Sequence, residues 1–209
     1  MIIIEQSWEW LQKPHMPLEL IELAGRTCYK SEERMRSDSA WRFVKMLLER
    51  GHHSVIEHPA ASVKFVTDRG VTHELVRHRL ASYSQESTRY CNYGGDDLKV
   101  IKPVWIDLPC DKIIYSDDKA TQLWYESMAE AESTYHDLLQ EGWRPEQARS
   151  VLPNSLKTEI VMTANLREWR HVFRLRTSKA AHPQMRELML SCLKGFRAEI
   201  PVLFDDLPE

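Results

Sequence analysis

The sequence predicts an α+β domain, with a small, mostly antiparallel sheet flanked by long helices. Three observations lead there. Residues 62–67 alternate, with Val63 and Phe65 on one face and Ser62 and Lys64 on the other, as a strand does. Residues 118–141 form a long helical stretch with an aspartate cap at one end and a glycine at the other. Strand-like and helical segments follow one another without internal repeats, low-complexity tracts or an evident linker, so residues 1–209 read as a single domain.

The elements follow in order. Residues 2–4 suit a short strand. Residues 17–26 suit a helix with Pro17 in its first turn. Residues 39–50 carry Trp41, Val44, Leu47 and Leu48 at helical spacing, with Gly51 as the stop. Asp68-Arg69-Gly70 ends the strand 62–67. Residues 71–79 fit a short helix, and residues 80–97, rich in Ser, Tyr and Gly, fit a loop. Residues 99–104 are a second main strand. In the helix 118–141, Asp118 is the cap, Leu123, Met128, Ala131, Tyr135 and Leu138 are the apolar stripe, and Gly142 is the stop. Residues 145–152 are a short helix between prolines, residues 157–163 a third main strand, and residues 166–176 and 183–199 two further helices. These patterns leave the strand order open.

Composition narrows the function classes. With 209 residues the chain can bury roughly 70% of its unfolded surface. The formal net charge of -3 gives no global attraction to nucleic acid or anionic membrane, so any basic site is a local cluster. The opening MIIIEQSWEW lacks a basic n-region, and no stretch has the length of a membrane span. Cys28, Cys91, Cys110 and Cys192 lie far apart with no CxxC pair, which fits incidental thiols in a reducing cytoplasm.

Three clusters carry candidate chemistry. Arg77-His78-Arg79 begins a segment that runs through Ser82, Tyr83, Ser84, Gln85, Glu86, Ser87 and Thr88 to Arg89 and Tyr90. Three consecutive basic groups diverge in either helix or extended chain, so they contact more than one group or more than one subunit. The hydroxyls, amides and arginine that follow can cradle a phosphate; the plain alternative is a solvated basic loop. Second, on residues 166–176, Leu166, Trp169, Val172 and Phe173 form an apolar side, while Arg167, His171 and Arg174 sit at i, i+4 and i+7 as a basic stripe. Asn165, Arg176, His182 and Gln184 flank it, with Arg149 further upstream; a solvated face is again the alternative. Third, Gly51-His52-His53-Ser54-Val55-Ile56-Glu57-His58 holds good metal ligands, but H-x-x-x-E-H matches neither zinc pattern. Pro59 also biases His58 away from helix, which disfavours a helical ligand face. No metal is assigned there.

These segments together resemble the flavin-dependent thymidylate synthases. Arg77-His78-Arg79, seven residues, then Ser87 resembles that family's R-H-R signature. GHHSVIEH is similar to its G-H-x-[ST]-x-x-E-H element. ARSVLPNSLKTEIVMTANLREW is similar to its A-R-x-x-L-P segment with the following strand and N-x-R helix, and His182-Pro183-Gln184 to its closing H-x-Q. The match runs in order from about residue 41 to 196.

The resemblance implies an enzyme that reductively methylates dUMP to dTMP. It implies FAD as cofactor, NADPH and methylenetetrahydrofolate as co-substrates, a homotetramer, and no enzyme cysteine nucleophile; the four cysteines show no specially placed thiol. It assigns FAD contacts to Ser54, Arg77, His78, Arg79, Gln85, Asn165, Arg167 and His171, with His52 near the flavin. It assigns dUMP to Glu74, Leu75, Val76, Arg77, Gln85, Glu86, Ser87, Thr88, Arg89, Arg149 and Arg176. Within that set Ser87 and Arg89 hold the phosphate, and Ser87 is no covalent nucleophile. Arg176 contacts the pyrimidine and stabilises negative charge at N3 and O4, the catalytic role. Glu74 stands where many members have glutamine, and His171 where others can have asparagine. The stretch between Arg176 and His182 is slightly longer than in some relatives. Two rival readings compete: a metal-dependent hydrolase built on His52, His53, Glu57 and His58, and an RNA-binding module in which Tyr83 and Tyr90 stack beside Arg77, Arg79, Arg167 and Arg174.

Overall fold

The computed structural model describes residues 1–95, 97–108 and 116–207. The architecture is the expected α+β, with a small, mostly antiparallel sheet and several helices. The strands are β1 (Ile2–Ile4), β2 (Ser7–Gln12), β3 (Ala60–Asp68), β4 (Ala81–Gln85), β5 (Lys99–Ile101) and β6 (Lys157–Asn165). The helices are α1 (Pro17–Thr27), α2 (Ser39–Glu49), α3 (Arg69–Leu75), α4 (Lys119–Gln140), α5 (Pro145–Ala148), α6 (Leu166–Arg176), α7 (Pro183–Glu199) and α8 (Pro201–Phe204). A four-stranded sheet has the order β2-β3-β6-β4, and β1 pairs with β5 separately.

Four expectations are corrected. β2 lies in a stretch for which no element is expected. Residues 80–97 are not all loop, because β4 occupies Ala81–Gln85. The α4 stripe is mostly half-exposed: Tyr135 is buried, but Leu123 is 53% exposed. His58 has right-handed helical backbone angles, against the bias from Pro59, although the 3-10 turn His53–Glu57 ends before it.

The chain falls into two compact units. The first comprises Met1–Ser7, Phe65–Arg77 and Ser84–Ile160. Here β1 and β5 run parallel in the register Ile2↔Lys99, Ile3↔Val100, Ile4↔Ile101. Ile3, Leu98, Val100, Ile106, Leu108 and Leu156 form its apolar cluster. Two helices start on side-chain caps: Asp68 accepts from the Val71 amide at 2.6 Å, and Asp118 from the Thr121 amide at 2.9 Å. Gly142 ends the α4 segment at φ 88°, a conformation glycine adopts without strain.

The second unit comprises Trp8–Lys64, His78–Tyr83 and Val161–Glu209. Its core is aromatic. Phe196 of α7 lies 4.9 Å from Trp169 and from Phe173, 5.1 Å from Phe204 and 4.4 Å from Trp10. Offset and edge-on rings at such distances stabilise beyond their buried area by about 1 kcal/mol a pair. The apolar side expected for α6 is confirmed, since Leu166, Trp169, Val172 and Phe173 are all fully buried. The helix is capped by Asn165 Oδ1, which accepts from the Glu168 amide at 2.9 Å. Burial of one side fixes what the other presents, so Arg167, His171 and Arg174 are exposed together.

Candidate functional site

In the first unit, α3 and the loop after β4 carry one cluster. Glu74 and Leu75 end α3, Val76 caps it and Arg77 follows. Leu75 is fully buried, backbone included. Gln85 Nε2 donates to Thr72 Oγ1 at 3.0 Å and to Thr158 Oγ1 at 3.3 Å. Glu86 is pinned further: its carboxylate accepts from Tyr93 Oη at 2.8 Å, Lys157 Nζ at 2.9 Å and the Glu159 amide at 3.2 Å. Its own amide donates to the Glu159 carbonyl at 2.9 Å. Both side chains are thereby anchors for the loop.

Burial and the Glu86 hydrogen bond push the Tyr93 hydroxyl well up, so it stays a neutral donor. Burial works to lower Lys157, but its bonds to Glu159 and Glu86 prevail and raise it. Beyond Glu86, the Ser87 carbonyl accepts from the amides of Tyr90 at 3.1 Å and Cys91 at 2.9 Å, which closes a tight turn. Arg149 Nη1 donates to Thr88 Oγ1 at 3.3 Å, and Arg89 Nε donates to Glu146 at 3.2 Å. Ser87, Thr88, Arg89 and Arg149 therefore share one neighbourhood, a hydroxyl and guanidinium set suited to phosphate.

In the second unit, a cavity of about 620 Å³ is lined by His53, Glu57, Asn165, Arg167, His171 and Arg174, with Ile56 and Leu80 as apolar walls. Arg167 Nη1 donates to Glu57 at 2.5 Å. Burial and the charges of Arg170, Arg167 and Arg174 lower the His53 imidazole. A second cavity of about 360 Å³ is lined by His52, Ser54, Arg167 and Cys28. The donor set is cationic and rich in N–H groups, which fits the diphosphate of a dinucleotide such as FAD.

His78 is turned inward at 5% exposure, while Arg77 and Arg79 beside it are exposed. Arg176 Nε donates to His78 Nε2 at 3.0 Å. Burial, then the charges of Arg176 and His171, lower His78 to about 4, so it is neutral at physiological pH.

His78, Glu168 and His171 also offer donor atoms within 4.8 Å of one another, which is metal-like spacing. The Arg176 bond speaks against that use. A neutral imidazole that accepts at Nε2 carries its proton on Nδ1, the nitrogen facing Glu168 at 3.6 Å. For the histidine-rich segment, Glu57 is committed to Arg167, and His52 and His58 are exposed.

Sequence reasoning missed several of these participants. Lys157 and Glu159 share a strand face at i, i+2, a signal present but unused. Tyr93, Thr72, Thr158 and Glu146 carry no local mark. Arg170, which the sequence does not single out, is 4% exposed and grips Asp206 through Nη1 at 2.7 Å and Nη2 at 2.6 Å. Cys28, Cys91 and Cys192 are free thiols, and Cys110 lies outside the described residues. No helix among the described residues is long and apolar enough to cross a membrane.

The sequence model of a family described as "Thymidylate synthase complementing protein" matches residues 10–202. A flavin-dependent thymidylate synthase of Corynebacterium aurimucosum is 35% identical over 218 residues, covering 96% of this chain and 84% of the relative. One from Mycobacterium tuberculosis is 35% identical, covering 90% and 78%, and one from Geobacter sulfurreducens is 33% identical, covering 94% and 84%. The crystal structure of a UMP/dUMP methylase, PolB, from Streptomyces cacaoi, bound with 5-Br dUMP, has a similar fold. Its TM-score is 0.81 at 21% identity, over 98% of this chain and 96% of that one. With the ordered motifs, the near-complete family match and relatives at this identity, the chain belongs to the flavin-dependent thymidylate synthases.

Proposed function

We propose that this protein reductively methylates dUMP to dTMP, with residues 1–209 acting as one catalytic domain. Methylenetetrahydrofolate is the carbon donor, NADPH the reductant and FAD the resident cofactor. The observation that carries the reading is the division of labour on α6. Its exposed stripe of Arg167 and His171 lines a cationic cavity, while Arg176 in its last turn is held by a buried histidine. One rigid helix thus bears both the residues the family uses for flavin and the one it uses for the pyrimidine.

When bound, FAD supplies the transfer of reducing equivalents from NADPH to the new methyl group. The protein's own residues bind, orient and stabilise charge. Arg167, His171 and Asn165, with His52, Ser54, Arg77, Arg79 and Gln85, hold the cofactor. Ser87, Arg89 and Arg149 hold the dUMP phosphate, while Gln85 and Glu86 brace the loop through their internal bonds. Arg176 stabilises negative charge on N3 and O4 and makes the ring electrophilic. No cysteine attacks the substrate; the Cys192 thiol is fully buried and pushed well up by that burial.

Leu80 and Tyr90, each 76% exposed beside the motif, suit coverage by a second copy in a homotetramer, which light scattering tests. The free thiols Cys28, Cys91 and Cys192 suit a reducing cytoplasm.

The test is a visible spectrum of protein incubated with FAD, re-isolated, and given NADPH anaerobically with and without dUMP, followed by a dTMP assay. Retained flavin that bleaches faster with dUMP, and dTMP formed with folate, is the expected result. Arg176→Ala should keep its flavin and lose about 100-fold in turnover. No retained flavin and no NADPH oxidation would sink the reading.

A further inference from the structure

We infer that His78 is a positioning residue for Arg176: its Nε2 accepts the guanidinium Nε–H at 3.0 Å and so aims the remaining guanidinium nitrogens. The functional meaning of this rests on the reading that Arg176 contacts the pyrimidine.

An arginine on the last turn of a helix has many rotamers open to it, so a directed fork needs a fixed partner. His78 is such a partner. Its backbone carbonyl accepts from Tyr83 Oη at 2.9 Å, which ties it to β4. Its ring meets the His171 ring edge-on at 5.8 Å between centroids, and its Nδ1 faces Glu168 Oε1 at 3.6 Å. Anchoring through Nε fixes the plane of the guanidinium, and a guanidinium edge held in one plane matches a carbonyl and its neighbouring ring nitrogen.

The arrangement demands one tautomer. Nε2 must be unprotonated, so Nδ1 carries the hydrogen. The titratable and charged groups facing the ring are Glu168, His171 and Arg176 from α6 and Tyr83 from β4. Burial and Arg176 keep the ring neutral, and burial with the Glu168 charge holds the Tyr83 hydroxyl protonated. A protonated His78 would set N–H against N–H and release Arg176. The R-H-R motif thus has an inward member with a duty distinct from that of its two exposed arginines.

The test combines spectroscopy with a mutant cycle at saturating FAD. Nitrogen-15 imidazole spectra of the wild-type protein should show His78 protonated at Nδ1 and bare at Nε2. His78→Leu removes the acceptor and should lower kcat by about tenfold or more, whereas His78→Gln, with an oxygen near the Nε2 position, should stay within about threefold of wild type. His78→Leu should add nothing further to Arg176→Ala, because both act through one group. A wild-type His78 protonated at Nε2 would overturn the inference. So would His78→Gln as impaired as His78→Leu, losses that multiply in the Arg176→Ala background, or a normal kcat with only FAD affinity lost. If His78→Leu does not fold, the His78→Gln rate and the wild-type spectrum still decide. Wild-type protein that makes no dTMP would defeat the functional reading alone, since the tautomer is measured without turnover.

Discussion

Replacing Gly195 by alanine tests whether the aromatic core of the second unit is packed to its limit. In an ordinary helix interior this change stabilises by about 1 kcal/mol, because glycine loses more backbone entropy on folding. At Gly195 a Cβ would stand 2.5 Å from Trp8 Cζ2, and closer still to Cη2. Trp8 has little room to retreat. Its indole N–H donates to Ser191 Oγ at 3.1 Å, and its ring meets Trp10 edge-on at 5.5 Å, with Trp10 in turn 4.4 Å from Phe196. Overpacking of this kind costs about 1–3 kcal/mol, which outweighs the propensity gain of about 1 kcal/mol, so Gly195→Ala should be net destabilising by up to about 2 kcal/mol. For a chain of this size that is a fall in Tm of up to about 8 °C. Urea unfolding followed by circular dichroism measures it. In a Trp8→Leu background, where the ring is gone, the same alanine should stabilise. A neutral or stabilising Gly195→Ala in the wild-type background would refute the reasoning.

Three other outcomes are expected. His78 titrates near 4 in the folded protein against 6.5 unfolded, so the unfolded chain binds more protons between those values. Its contribution is present above the unfolded value and is lost as pH falls through the window, by at most about 3 kcal/mol. Glu168, raised by burial, acts in the opposite sense, so the measurable quantity is the difference in pH slope between wild type and His78→Gln, which should be positive from about pH 4 to 6.5. Asp206→Ala removes the carboxylate from the buried Arg170 guanidinium, which keeps its bond to the Leu203 carbonyl. Because the Asp206 side chain is 53% exposed, the loss should be about 2 kcal/mol, below that of a fully buried pair, and a midpoint shift in urea reads it. Lys157→Met removes a donor from Glu86 and loosens the loop that ends β4. It should raise KM for dUMP several-fold while kcat changes less, and an equal fall in both kcat and kcat/KM would assign Lys157 to the transition state instead.

Sequence patterns revealed what depends on local rules. Asp118, Gly51 and Gly142 act through their own neighbours, and the helices they delimit stand within a residue or two of expectation. The α6 apolar side was legible because four large residues recur at helical spacing. β4 was not, because the alternation of Ala81 and Tyr83 with two serines is short and weakly apolar, and the strand exists through its pairing with β6. β2 did carry a signal in Trp8-Glu9-Trp10. The α4 stripe misled because spacing cannot say how much apolar surface lies opposite a helix. The site divides the same way. The residues proposed to face ligands cluster in short motifs, whereas the groups that hold them lie far along the chain: His78 and Arg176 are 98 residues apart, and Glu86 and Lys157 are 71 apart.

Those supports also weigh the rival functions against one another. A polymer-binding face needs cations that are outward and uncompensated, since affinity for nucleic acid comes from releasing counterions along a backbone. Here Arg167 is paired with Glu57, and Arg170 is buried against Asp206. The stripe that remains lines a concavity of about 620 Å³, the scale of a small anionic ligand. A hydrolytic metal centre needs histidines whose second nitrogen donates to a carboxylate or carbonyl, leaving the first bare for the metal. His78 has that tautomer, with Nδ1 towards Glu168, but its bare Nε2 is already taken by the Arg176 N–H. The same pairing of Arg176 with a neutral histidine that disfavours a metal places a fixed positive charge in a half-buried setting. There it retains far more of its strength than in bulk water, which is what a developing negative charge on a pyrimidine ring requires.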